Sequence, residues 1–82
     1  MMEEKRINCG YEIVTALQCS KRMELVIGHN PKAPNQWVCW YCYDGNSYST
    51  GDYCNTFKEA LQSLADRINR NMSFSDFADL DK

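Results

Sequence analysis

Apolar and polar residues alternate over Tyr11–Gln18 (Y-E-I-V-T-A-L-Q), the pattern of a half-buried strand. Tyr11, Ile13, Thr15 and Leu17 are expected on one face, and Glu12, Val14, Ala16 and Gln18 on the other. A polar turn, Cys19-Ser-Lys-Arg22, leads into a second predicted strand, Met23–His29, with Met23, Leu25 and Ile27 on its bulkier face. The loop 30–35 holds Pro31 and Pro34, which remove backbone donors and cannot sit inside a sheet. Gln36–Tyr43 reads as the third strand and Ser47–Tyr53 as the fourth. Asp44-Gly45-Asn46 between them tolerates positive φ and predicts a tight hairpin.

From Thr56 the period changes. Thr56 and Glu59 fit a capping box, in which each satisfies a backbone N–H of the other at the helix start. Phe57, Ala60, Leu61, Leu64, Ala65 and Ile68 then recur at helical spacing. Lys58, Glu59, Gln62, Ser63, Asp66, Arg67 and Arg70 take the wet side. The helix is expected to end near residues 69–71. The predicted fold is α+β: a four-stranded antiparallel meander with one amphipathic helix packed on one face, ββββα, as a single domain over residues 1–72. Residues 73–82 form an acidic tail with Phe74, Phe77 and Leu80 three apart, either a short docked helix or disordered.

The stretch Trp37–Tyr43 (W-V-C-W-Y-C-Y) is apolar on both faces, and one helix cannot cover both. If the loop is Asp44-Gly45, Tyr41 opposes Tyr48; if it is Gly45-Asn46, Tyr43 does. Either pairing sets Tyr48 beside Trp37, Tyr41 and Tyr43, and leaves Ser47, Ser49, Gly51 and Tyr53 beside Trp40. Small residues around one indole suit a covering helix, so Val38, Trp40 and Cys42 are expected under it. Trp37, Tyr41, Tyr43 and Tyr48 then form an open face, with Phe74 and Phe77 of the tail as possible additions. Tyrosine suits a wet interface because it offers broad apolar area and a hydroxyl at little entropic cost. With the faces reversed, the candidate surface becomes Val38, Trp40 and Tyr53. Exposed tyrosines also stabilise sheets by cross-strand contact alone.

Composition narrows the choices. Eighty-two residues bury a thin core and leave little room for a deep cleft. The net charge is −2, and with Asp76, Asp79, Asp81 and Lys82 set aside the acidic and basic residues number eight each. The basic residues are scattered, which disfavours nucleic-acid binding. No apolar run approaches the roughly 20 residues of a membrane span, and no signal peptide is visible. Five cysteines, an odd number, read as reduced thiols of a cytoplasmic protein. Cys39 and Cys42 match C-x-x-C but point to opposite faces of a strand, and a second pair is missing, so no metal or cofactor is expected. Cys54 lies just before the helix cap, and His29 is the only histidine.

Tyr11-Glu12-Ile13, Glu24–Pro31, Trp40, Gly51-x-Tyr53 and the series Ala60, Leu64, Arg67 resemble a group of small uncharacterised bacterial proteins often carried on conjugative elements and phages. The resemblance spans Tyr11 to Arg70. It implies a cytosolic bacterial protein with an accessory or host-interaction role, and it carries over no functional residue.

The leading expectation is a small non-enzymatic module that binds another protein, or itself as a homodimer by edge pairing or sheet stacking. The alternative is a small-ligand or thiol-dependent function around His29, Cys42 and Cys54. The third is a weak nucleic-acid binder that stacks bases on the sheet aromatics.

Overall fold

The computed structural model describes residues 6–71. The sheet has five antiparallel strands in simple meander order: β1 (Ile7–Asn8), β2 (Tyr11–Gln18), β3 (Met23–His29), β4 (Trp37–Tyr43) and β5 (Ser47–Cys54). One helix, α1 (Phe57–Asn71), follows and packs on β3, β4 and β5. The α+β class and the antiparallel meander are as expected. The strand count is corrected from four to five. β1 is two residues long, too short to show alternation. It joins β2 through Cys9 and Gly10, both at positive φ (54° and 85°).

Two β-bulges decide which side chains share a face. In β2 the register shifts at Val14, between Ile13 and Thr15. Tyr11 and Ile13 therefore lie on one face, and Thr15 and Leu17 on the other. The expectation that all four share a face is wrong because one extra residue inverts everything beyond it. In β5 the shift falls opposite Trp40: Cys39 pairs with Asp52 and Tyr41 with Ser49. Thr50, at φ 56°, takes up the extra residue.

The β4–β5 hairpin carries a second correction. Tyr43 pairs with Ser47, so the loop has three residues, Asp44, Gly45 and Asn46. Asp44 and Gly45 both have positive φ, and the Asn46 N–H donates to the Tyr43 carbonyl over 3.2 Å. Neither two-residue loop forms. The parity of β5 is inverted, and Tyr48 pairs with Cys42, on the face away from Tyr41. Ser47 and Ser49 instead join Tyr43 and Tyr41.

This parity sets the helix. Ser47 and Ser49 lie on the Trp37/Cys39/Tyr41 side, which α1 covers, while the bulge at Thr50 restores the parity and keeps Gly51 and Tyr53 beside Trp40 as expected. The expectation that Val38, Trp40 and Cys42 lie under the helix is reversed: Trp37, Cys39 and Tyr41 lie there instead. Beneath α1, Leu25, Ile27, Cys39, Cys54 and Cys19 meet Ala60 and Leu64, with Trp37, Tyr41, Met23, Leu17 and Ile68 around them. The opposite face has its own core of Tyr11, Val26, Val38, Trp40 and Cys42. Among the described residues, chain segments rather than a helix shield it. Arg6 ion-pairs with Glu24 (2.8 Å) and lies 5.9 Å over the Tyr48 ring. The Tyr11 hydroxyl donates to the Asn35 carbonyl (2.6 Å), tying down the proline loop. Val38 and Trp40 are buried, so neither belongs to an open face.

Half of the capping box forms as read: the Glu59 N–H donates to Thr56 Oγ1 (3.1 Å), but Glu59 Oε1 accepts from the Asn55 N–H (2.8 Å) rather than from that of Thr56. The buried stripe of α1 keeps Ala60, Leu64 and Ile68 as expected but is rotated. Ala60, Ser63, Leu64 and Arg67 are buried, while Phe57, Leu61 and Ala65 are exposed. The helix is rolled toward β5 because Ser63 and Arg67 find polar partners there. Ser63 Oγ donates to Asp52 Oδ2 (2.6 Å) and an Arg67 N–H to the Thr50 carbonyl (2.8 Å).

Candidate partner-binding surface

The residues expected to make one aromatic face are dispersed. Trp37 is half-buried under the first turn of α1, stacked on His29 (4.0 Å between ring centroids, 24° between planes) and 5.1 Å from Phe57. Tyr41 lies under the Arg67 guanidinium, 4.6 Å from its ring centroid. Tyr43 is exposed at the hairpin end. Tyr48 is on the far face, in edge contact with Trp40 at 5.5 Å. Phe74 and Phe77 lie outside the described residues.

On that far face four aromatics interlock. Trp40 is met edge-on by Tyr11, Tyr48 and Tyr53, at 5.7, 5.5 and 6.2 Å. Tyr48 and Tyr53 are an odd number of residues apart and would straddle a regular strand; the bulge at Thr50 brings both to Trp40. A Cβ at Gly51 would stand 2.7 Å from Trp40 Nε1 and 2.8 Å from Tyr53 Cε1, so the absent side chain makes room for the indole. This cluster is packing, with Tyr53, half exposed, as its rim.

The accessible apolar surface lies on the helix side instead. Phe57 and Leu61, one turn apart on α1, are 38% and 42% exposed. They belong to the apolar stripe of α1, and the roll of the helix leaves them out of the core. Together with the Trp37–His29 stack they form a contiguous aromatic and aliphatic patch. Sequence reasoning found Trp37 but placed Phe57 and Leu61 inside. The partners that roll the helix lie 11 and 17 residues away along the chain, beyond any local pattern.

At the other end of α1 a cleft of about 390 Å³ opens between helix and β5, lined by Tyr41, Thr50, Gly51, Asp52, Arg67 and Arg70. Arg67 is 5% exposed; Arg70 stands at the surface, its Nε 3.4 Å from the Asp66 carbonyl.

Four of the thiols, Cys19, Cys39, Cys42 and Cys54, are buried packing groups. Burial pushes the Cys19, Cys39 and Cys54 thiols above the ordinary range, with the Asp52 charge adding to the last two. Cys54 therefore gains no activation from the helix start, and its Sγ lies 3.4 Å from the Asp52 carbonyl. His29 and Cys54 both pair with Trp37, from opposite sides. They stand two strand spacings apart, roughly 9.5 Å, with the indole between. Cys42 is on the other face. His29, Cys42 and Cys54 are not brought together. Cys39 and Cys42 are divided by the sheet, as their spacing implies. Among the described residues no group of three His, Cys, Asp or Glu side chains is placed to hold a metal ion, and no helix is long and apolar enough to cross a membrane.

Comparison with protein-family models, with curated proteins and with solved structures finds no match.

Proposed function

We propose that this protein is a small non-enzymatic binding module that engages another protein through the flank of α1, with Phe57, Leu61 and Trp37 as the contact. The observation that carries this reading is the incomplete burial of the helix's own apolar stripe. A helix that buries Ser63 and Arg67 while leaving Phe57 and Leu61 partly exposed has an apolar edge its own sheet does not fully use. Aromatic and aliphatic side chains held on rigid elements are the usual anchors of protein interfaces. The half-buried Trp37 is fixed between His29 and Phe57, so its ordering cost is already met in the free protein. An accessory protein of a bacterial mobile element, the role suggested by the resemblance over Tyr11–Arg70, would need a surface of this kind.

The test is capture of a stoichiometric partner from the native cell under reducing conditions, with Phe57→Ser/Leu61→Ser as control. The double variant also removes the Phe57–Trp37 contact, so its capture is read at a temperature where circular dichroism shows it fully folded. The reading predicts a partner that the control loses. A partner retained by the control, or a folded monomer that captures nothing, contradicts it. Self-association through the same flank would appear as a concentration-dependent mass that the double variant abolishes.

A further inference from the structure

We propose that the cleft between the last turns of α1 and β5 receives a carboxylate side chain of an acidic peptide. This rests on the reading of the protein as a protein-binding module and specifies the chemistry of its partner. Arg67 and Arg70 are three residues apart on one helix and both line the cleft. Arg67 is preorganised: it is 5% exposed, its guanidinium lies over the Tyr41 ring, and it donates to the Thr50 carbonyl. A cation fixed in a poorly hydrated wall is screened less than one in open water. Arg70 is exposed where it lines the cleft, and its planar fork matches the two oxygens of a carboxylate. The facing strand lines the cleft with Thr50, Gly51 and Asp52.

The charge balance selects the ligand. Two guanidiniums and Asp52 give the lining a net charge of +1. The Asp52 carboxylate is turned to Ser63, 2.6 Å away at Oδ2. A net +1 fits a single monoanion. A phosphate near neutral pH carries close to two charges, and nucleic acid presents a row of them. A volume of about 390 Å³ is at the small end of ligand pockets, enough for one side chain and the peptide beside it.

The test is an NMR titration of the full chain with the blocked peptide acetyl-Ala-Ala-Glu-Ala-Ala-amide, up to about 10 mM given the weak affinity one ion pair confers. The glutamine counterpart and inorganic phosphate are titrated in parallel. Saturable shifts at Tyr41, Thr50 and Gly51 are expected from the glutamate peptide. The other two ligands, and the Arg70→Gln variant with the glutamate peptide, should bind roughly tenfold more weakly. The same titration is run on a chain carrying Asp76→Asn, Asp79→Asn and Asp81→Asn. Binding seen only there supports the site equally, with the chain's own acidic stretch as a competing carboxylate source. No saturable shift in either protein, equal binding of the glutamine peptide, or tighter binding of phosphate overturns the proposal. Partner capture that depends on Phe57 and Leu61 would survive that outcome, so the two readings fail separately.

Discussion

Thr50 and Gly51 show how much one residue can decide. Thr50 holds φ 56°, a conformation β-branched residues rarely adopt, and Gly51 clears the space that Trp40 occupies. Gly51→Ala would force its methyl against Trp40 Nε1 and is expected to lower stability by about 1–3 kcal/mol, measured by urea unfolding. Thr50→Gly should act in the opposite sense, because relief of the strained φ outweighs glycine's entropy, and is expected to raise the melting temperature. The cysteines make a separate prediction. Cys9 is the exposed thiol and the other four are buried. One equivalent of a thiol reagent should react quickly with the native protein, and five after denaturation. Because burial raises the Cys19, Cys39 and Cys54 pKa values, the folded state holds those protons longer than the unfolded chain does. Stability is then full below the ordinary thiol range and falls as pH rises through it. Reagent-free unfolding midpoints at neutral pH and well above pH 9 test the sign.

At the scale of elements, the sequence was legible where local pattern and local chemistry agree. The four longer strands, a turn at Asp44-Gly45-Asn46, the Thr56 cap and the end of α1 all follow from periodicity and turn residues. Thr56→Ala should remove the cap and cost about 1 kcal/mol, and the same loss should appear in thermal unfolding. What local pattern leaves open is parity. A three-residue loop in place of two, and single extra residues at Val14 and Thr50, invert the faces beyond them without changing composition. The clue to β1 was Cys9-Gly10, a turn dipeptide beside a two-residue strand that shows no alternation of its own.

For the whole molecule, the outcome is a sheet filled on both sides. The sequence correctly signals that Trp37–Tyr43 is apolar on both faces. The second face, however, is covered by Arg6, Tyr48 and the proline loop rather than left open. The residues expected to bind together are instead shared between a helix-side patch, a cleft and a second core. The unused apolar surface is displaced to the flank of α1, because Asp52, Thr50 and Tyr41 draw Ser63 and Arg67 inward. That displacement is a tertiary effect, visible only once β5 and α1 are set side by side. It yields the central claim, that Phe57, Leu61 and Trp37 meet a partner. The most direct measurement is site-specific photo-crosslinking in the native cell, with a photoreactive residue at Leu61 and, as control, at Ser47, which is also exposed. A single crosslinked protein from Leu61 and none from Ser47 is the predicted result. No crosslink from Leu61, or the same products from both positions, would contradict it.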